Sequence, residues 1–242
     1  MSRAGATACR EMLAWNHRLA EQICAPQFHF DAFQMLQQWQ RKRLAGTYAD
    51  LMAEENSLPA CEFFLDELYG GLDFLKRDQD LDKVMPVMVR FLPEYALGSL
   101  AAAFELQAIS LQFDMEVSRI VSERGVSELD LGGYASAYRQ CGDRSQRERQ
   151  IILIRQLGID LSGLVDKALV SYLVRLLRGP AHAAGFGELQ QFLESGLASF
   201  RQLEDRMLFV DTVFQREWMA MEKLFAGSDR PYDLNVESEA RA

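Results

Sequence analysis

From Thr7 to Cys24 the apolar residues Met12, Trp15, Leu19 and Ile23 recur at three- and four-residue steps and stop before Pro26, which predicts an amphipathic first helix. A second is predicted from about Asp31 past Trp39, Leu44 and Tyr48 to Met52. Ser57 stands at a capping position, with Pro59 in the first turn that follows. The third helix then runs through Cys61, Phe64, Leu65 and Leu68 until Gly70 and Gly71 supply a left-handed stop. Asp80 or Asp82 opens a fourth, with Leu81, Val84, Met88 and Phe91 as its inner stripe. Pro93 to Gly125 contains no further proline and reads as one long helix, the candidate centre of the fold. Gly132–Gly133 and Cys141–Gly142 bracket a short helix, and Ser145 to Leu157 and Ser162 to Leu177 make two more. Gly179, Pro180, Gly185 and Gly187 form the densest breaker cluster. A last helix or helix pair, Glu188 to Phe225, carries Met207, Val210, Phe214, Trp218, Met221 and Phe225 at core spacing.

Composition turns these segments into a fold class. With 33 Leu and 27 Ala against 12 Val, 7 Ile and 3 Thr, the chain favours helix over pleated sheet. The expectation is an all-α, single-domain multi-helix bundle over residues 6–226, followed by a flexible C-terminal tail, 227–242. Trp15, Phe64, Leu68, Phe91, Phe104, Leu111, Leu173, Phe214 and Trp218 are the expected core. The Met- and Phe-rich stripe from Met207 to Phe225 exceeds what one neighbouring helix needs, so a homodimer through it is also expected.

Charge narrows the partners. A net charge of -9 lacks the clustered cations that displace counterions from a phosphate backbone, so no nucleic acid is expected. The most lipid-like stretch, Tyr95 to Phe113, carries Glu105, Gln107 and Gln112, so no membrane span is expected either. Cys9, Cys24, Cys61 and Cys141 are scattered without a Cys-x-x-Cys pair, and the N-terminus lacks a secretory pattern. Both points favour a cytoplasmic chain.

Familiar catalytic patterns are missing from the sequence: no nucleophile elbow, no P-loop and no His-Glu-x-x-His. His17, His29 and His182 are the three histidines, too few for a di-iron carboxylate site, and no metal is expected. Three polar features remain. Glu62, Asp66 and Tyr69 share a helix face, with Asp73, Arg77 and Asp78 just beyond its end. This corner reads either as a solvated surface or as a ligand seat. Glu105 lies among Ala101, Ala102, Ala108 and Ile109, where a carboxylate needs an arginine or hydroxyl partner from another helix, with Arg77 and Arg90 as candidates; it reads as a structural ion pair or, alternatively, as a general base. Arg139, Arg144, Arg147, Arg149 and Arg155 gather around a helix start, either as an anion dock or as a solvated turn.

Two resemblances add to this. The block Phe63-Phe64-Leu65-Asp66-Glu67-Leu68-Tyr69-Gly70, followed by Asp73-Phe74 and Arg77-Asp78, resembles the signature of an uncharacterised bacterial family of helical proteins. His17-Arg18-Leu19-Ala20-Glu21 resembles the first-helix His-x-x-Ala-Glu of heme oxygenases, which implies a heme-oxygenase-like bundle with haem as cofactor and His17 as its axial ligand. Apart from that resemblance no cofactor is expected. The leading functional expectation is a non-catalytic cytoplasmic binding or interaction protein for an unknown small molecule or protein, with Tyr69, Arg77, Asp78 and Glu105 as ligand-binding residues. The alternatives are a heme-oxygenase-like protein holding haem or another planar molecule, and a small-molecule enzyme using the carboxylates and Tyr69.

Overall fold

The computed structural model describes residues 4–69, 85–86, 88–90, 92–167 and 187–233. Among them the chain is helical without a strand: α1 (Ala4–Ile23), α2 (Phe30–Thr47), α3 (Ala49–Met52), α4 (Leu58–Tyr69), α5 (Glu94–Glu123), α6 (Leu131–Cys141), α7 (Arg144–Leu164), α8 (Gly187–Gln202) and α9 (Arg206–Phe225). The fold is an all-α multi-helix bundle. Most of the predicted fourth helix, the second half of the Ser162–Leu177 helix and the glycine cluster before Gly187 fall outside the described residues.

Helix α5 is the centre. Its 30 residues span about 45 Å at 1.5 Å per residue, and it packs against α1, α2, α6 and α7. By length and composition alone it is apolar enough to cross a membrane; here its apolar faces meet other helices.

Pairwise bonds set the register of its neighbours. Gly5 N donates to Glu94 Oε1 (2.6 Å), Cys9 Sγ to the Leu97 carbonyl (3.0 Å) and Asn16 Nδ2 to the Phe104 carbonyl (2.9 Å). The sequence offset is nearly constant, so α1 runs parallel to α5. Helix α2 runs antiparallel to α5, because Ser122 Oγ meets His29 Nδ1 while Gln40 Nε2 donates to Asp114 Oδ1. Helix α7 is antiparallel as well: Arg149 joins Glu105 near one end and Asp160 joins Ser99 near the other. Helix α9 returns along α7, tied by Arg155 to Asp211 and by Arg144 to Glu222.

The largest apolar cluster unites α2, α5, α6, α7 and α9 through Leu36, Val117, Ile120, Tyr138, Ile151 and Met221. A second, around Phe200, Phe209, Val210 and Cys61, joins α4, α8 and α9. Of the expected core, Phe104 and Leu111 are buried, while Trp15, Phe64, Phe214 and Trp218 are half-buried. Phe91, Leu173 and the Leu68 side chain lie outside the described residues.

Several expectations need correction. The predicted second helix divides at Tyr48, because the Tyr48 ring turns inward and its hydroxyl donates to Glu217 Oε1 at 2.8 Å. The Ser57 hydroxyl donates back to the Leu51 carbonyl at 2.6 Å. The segment 227–233, expected as part of a flexible tail, folds onto the bundle. Ser228 N donates to the Lys223 carbonyl, Lys223 Nζ to the Asp233 carbonyl, and Tyr232 packs on the main cluster. The α9 stripe expected at a dimer interface is covered largely from within, by α7 and by the main cluster; Met207 and Leu208 stay exposed.

Helix α7 also runs unbroken through Gly158, where a break was expected. A β-carbon at Gly158 would lie 2.6 Å from Val210 Cγ2, so a missing side chain here lets α9 approach. Gly158→Ala gains helix propensity of about 1 kcal/mol but overpacks a stiff β-branched neighbour at a cost of about 1–3 kcal/mol. The variant should therefore melt below the wild type, and Gly158→Ala with Val210→Ala should recover part of the loss relative to Val210→Ala alone. Chemical denaturation of the four proteins in a double-mutant cycle checks this.

Candidate functional site

Gln40 on α2, Asp114 on α5 and Arg147 on α7 stand in phase with apolar inner positions: Phe33 and Leu36, Phe104 and Leu111, Ile151 and Gly158. The period that buries those residues buries these polar ones too, leaving 5%, 9% and 6% of each exposed. With Tyr134, Tyr138, Glu217 and Tyr232 they surround a cavity of about 60 Å³ where α2, α5, α6, α7 and α9 converge.

The groups in this chamber are positioned by their surroundings. The Arg147 guanidinium carbon lies 3.5 Å from the Phe113 ring centroid and 4.2 Å from that of Tyr138, a cation held by two π faces. Its Nη1 donates to Gln150 Oε1 at 3.2 Å, and Gln150 Nε2 donates to Ser110 Oγ at 2.7 Å. Gln40 Nε2 donates to Asp114 Oδ1 at 2.9 Å. Arg43 Nη1 and the Tyr48 hydroxyl both donate to Glu217 Oε1, each at 2.8 Å. Tyr232 lies 4.7 Å from the Arg43 guanidinium, and Trp39 stacks on Tyr134 at 4.2 Å.

Two features set the chamber apart from an ordinary polar core. Among the described residues, Gln40 Oε1, Arg147 Nε and the Tyr232 hydroxyl are buried without a hydrogen-bond partner in the chain, and leaving such a group unmade costs about 1–3 kcal/mol. Asp114 and Arg147 also make no ion pair with one another, although both are buried and both line the cavity. Burial pushes the Asp114 carboxyl up from 3.8 to about 6, with the Gln40 hydrogen bond and the Arg147 charge opposing the shift. Burial likewise holds the phenols of Tyr138 and Tyr232 well above their ordinary value.

A larger groove of about 490 Å³ separates the first turns of α5 from the end of α7, flanked by Gly98, Ala102 and Gly163. Its polar pair, Ser99 and Asp160, is self-satisfied at 2.5 Å, so it offers less chemistry than the smaller chamber.

Of the ligand-binding residues expected from sequence, Glu105 is the one whose side chain is described, and it does not line the chamber. Tyr69 closes α4, and Arg77 and Asp78 lie outside the described residues. Glu105 has its expected arginine partner on another helix, but it is Arg149, donating at 2.8 and 2.6 Å. Glu105 is also half-exposed where a buried carboxylate was expected. His17 is half-buried on α1, and its neighbour Asn16 is the polar side chain that enters the α1–α5 interface. The arginine run does not form an anion dock. Arg144, Arg149 and Arg155 pair with Glu148 and Glu222, Glu105, and Asp211, and Arg139 donates to the Leu224 carbonyl, while Arg147 turns inward. Among the described residues no group of three His, Cys, Asp or Glu side chains gathers as a metal site.

Because the Asp114 carboxyl is raised by folding, its stabilising contribution is complete below about pH 3.8 and is lost as pH rises through about 6. Asp114→Asn keeps the oxygen that accepts from Gln40 and removes the buried charge. At pH 7.5, a pH chosen as roughly neutral to basic, it should be more stable than the wild type by about 2–3 kcal/mol. The gap should close near pH 4, on the order of the ordinary carboxyl value. Urea denaturation at both pH values measures it; an equal or less stable variant at the higher pH would show the ionised carboxylate to be well satisfied.

No curated protein and no solved structure matches this chain. Residues 21–231, which carry every chamber residue named above except Tyr232, match the family model described as a domain of unknown function (DUF8198), and the chain belongs to that family.

Proposed function

We propose that this chain is a non-catalytic helical binding protein whose interior chamber seats a small polar molecule. The observation that carries this reading is the set of buried, unmade hydrogen bonds on Gln40, Arg147 and Tyr232 around one cavity. A native interior leaves few such atoms, and each calls for a partner, here one that the cavity can hold. The cavity sits behind rigid helices, and its cation is clamped between two rings, an arrangement suited to holding a ligand in one orientation. The four free thiols support a reducing, cytoplasmic setting for this binding.

Trp39 stacks on a chamber wall residue and reports occupancy by its fluorescence. Titrating the full chain with a panel of small amides, carboxylates, amines and alcohols should give saturable changes for at least one class, lost in Gln40→Leu with the helical circular dichroism unchanged. If every class fails on folded wild-type protein, the binding reading falls. A Soret band on freshly purified protein that disappears in His17→Ala would replace it with the haem reading.

A further inference from the structure

The unmade bonds of the chamber are of two kinds. Gln40 Oε1 is an acceptor, and it belongs to the side chain that donates to the Asp114 carboxylate, so two acceptors stand side by side. Arg147 Nε is a donor, and the Tyr232 hydroxyl can donate or accept. A bound molecule that satisfies this wall therefore needs both a hydrogen-bond donor and an acceptor.

Charge narrows the class further. Arg43 and Glu217 neutralise each other at 2.8 Å, which leaves Arg147 and Asp114, one positive and one negative, separated across the same cavity. An anion entering would meet the Asp114 carboxylate, and a cation would meet the Arg147 guanidinium. A neutral dipolar molecule meets neither penalty. Size sets the last limit: about 60 Å³ is the liquid volume of roughly two water molecules at about 30 Å³ each, enough for a few non-hydrogen atoms.

Resting on the binding reading above, we propose that the chamber recognises a small primary amide or urea-like molecule, its N–H groups donating to Asp114 and Gln40 Oε1 and its carbonyl accepting from Arg147. Nη1 of Arg147 is committed to Gln150, which leaves the Nε edge of the planar fork to donate to the carbonyl. The same geometry predicts how pH acts. An amide N–H needs Asp114 ionised, so binding holds the carboxylate in its charged form and weakens when the proton arrives.

Of the groups lining the cavity with Asp114, Arg43 and Arg147 are guanidinium cations, Glu217 is engaged by Arg43 and Tyr48, and Tyr138 and Tyr232 are held in the phenol form by burial. Tyr134 completes that wall as a further phenol. Asp114 is the chamber carboxyl that burial raises to about 6.

Formamide and its charged isostere formate test this on the full chain, with Trp39 fluorescence and saturation transfer from the formyl proton as readouts. The wild type should bind formamide with a Kd on the order of 1 mM, near the limit for three non-hydrogen atoms, and bind formate far more weakly at neutral pH. Below about pH 6 the formamide affinity should fall by about tenfold per pH unit. Asp114→Asn, whose fold the substitution leaves intact or strengthens, should bind formamide at least about tenfold more weakly, with the pH dependence gone. Formate binding that strengthens as pH falls, with formamide inert, would overturn the amide class while leaving the binding reading in place. If neither isostere nor any other class in the wider panel binds, both readings fail together. Formamide binding unchanged in Asp114→Asn would remove Asp114 from the site.

Discussion

A helix of 30 residues with buried side chains around most of its circumference needs helical cover on several faces, and the rest of this molecule is arranged to supply that cover to α5. α1 lies parallel to it and α2 and α7 lie antiparallel, each tied in register by a few polar bonds. Where α2 and α7 both press on the same stretch of α5, little bulk solvent reaches whatever α5 presents there. What it presents at that depth is Asp114. The chamber is thus a consequence of how the central helix is covered: three polar side chains in phase with apolar stripes on α2, α5 and α7 arrive at one level of the bundle.

The two kinds of polar pairing in the bundle differ in energetic character. Arg149–Glu105, Arg144–Glu222 and Arg155–Asp211 sit at its surface, where solvent and salt screen the attraction and each contributes at most about 1 kcal/mol. Arg43–Glu217 is largely buried and shares its oxygen with the Tyr48 hydroxyl, so removing one member strands the other in a poorly hydrated place. Arg147 has a different solution again, with aromatic faces in place of a carboxylate.

Much of the fold was legible in the spacing of apolar residues. Met12, Trp15, Leu19 and Ile23 marked α1, the proline-free run after Pro93 marked α5, and Gly142 at φ +68° ended α6 where a break was expected. The failures have physical causes. Tyr48 broke α2 because of a partner 169 residues away, and Gly158 marks a close approach of α9 in place of a helix end, since Val210 occupies the space a side chain would take. The site was less legible. Glu105 stands out because its neighbours are apolar, yet the interior face of α5 that runs through Phe104 and Leu111 leads to Asp114, while Glu105 itself reaches the rim. Arg147 was hidden within a run of arginines, and its phase with Ile151 and Gly158 was the signal that separated it from them. The Tyr69, Arg77 and Asp78 corner could be read as a motif but not placed.

The bonds from Glu217 to Arg43 and Tyr48 close a loop of the chain that spans nearly its whole length, with separations of 174 and 169 residues. Contacts that distant form late, because closing so long a loop costs chain entropy before any contact can offset it. During folding, α1, α2 and α5 can associate through much shorter connections and so assemble before α9 arrives. In that interval Arg43, Tyr48 and the chamber wall stand open to water, and the polar interior is sealed only when the last helix docks. The site would then be the last part of the molecule to exist and the first to open, so that α9 exchanges its backbone hydrogens ahead of α1, α2 and α5.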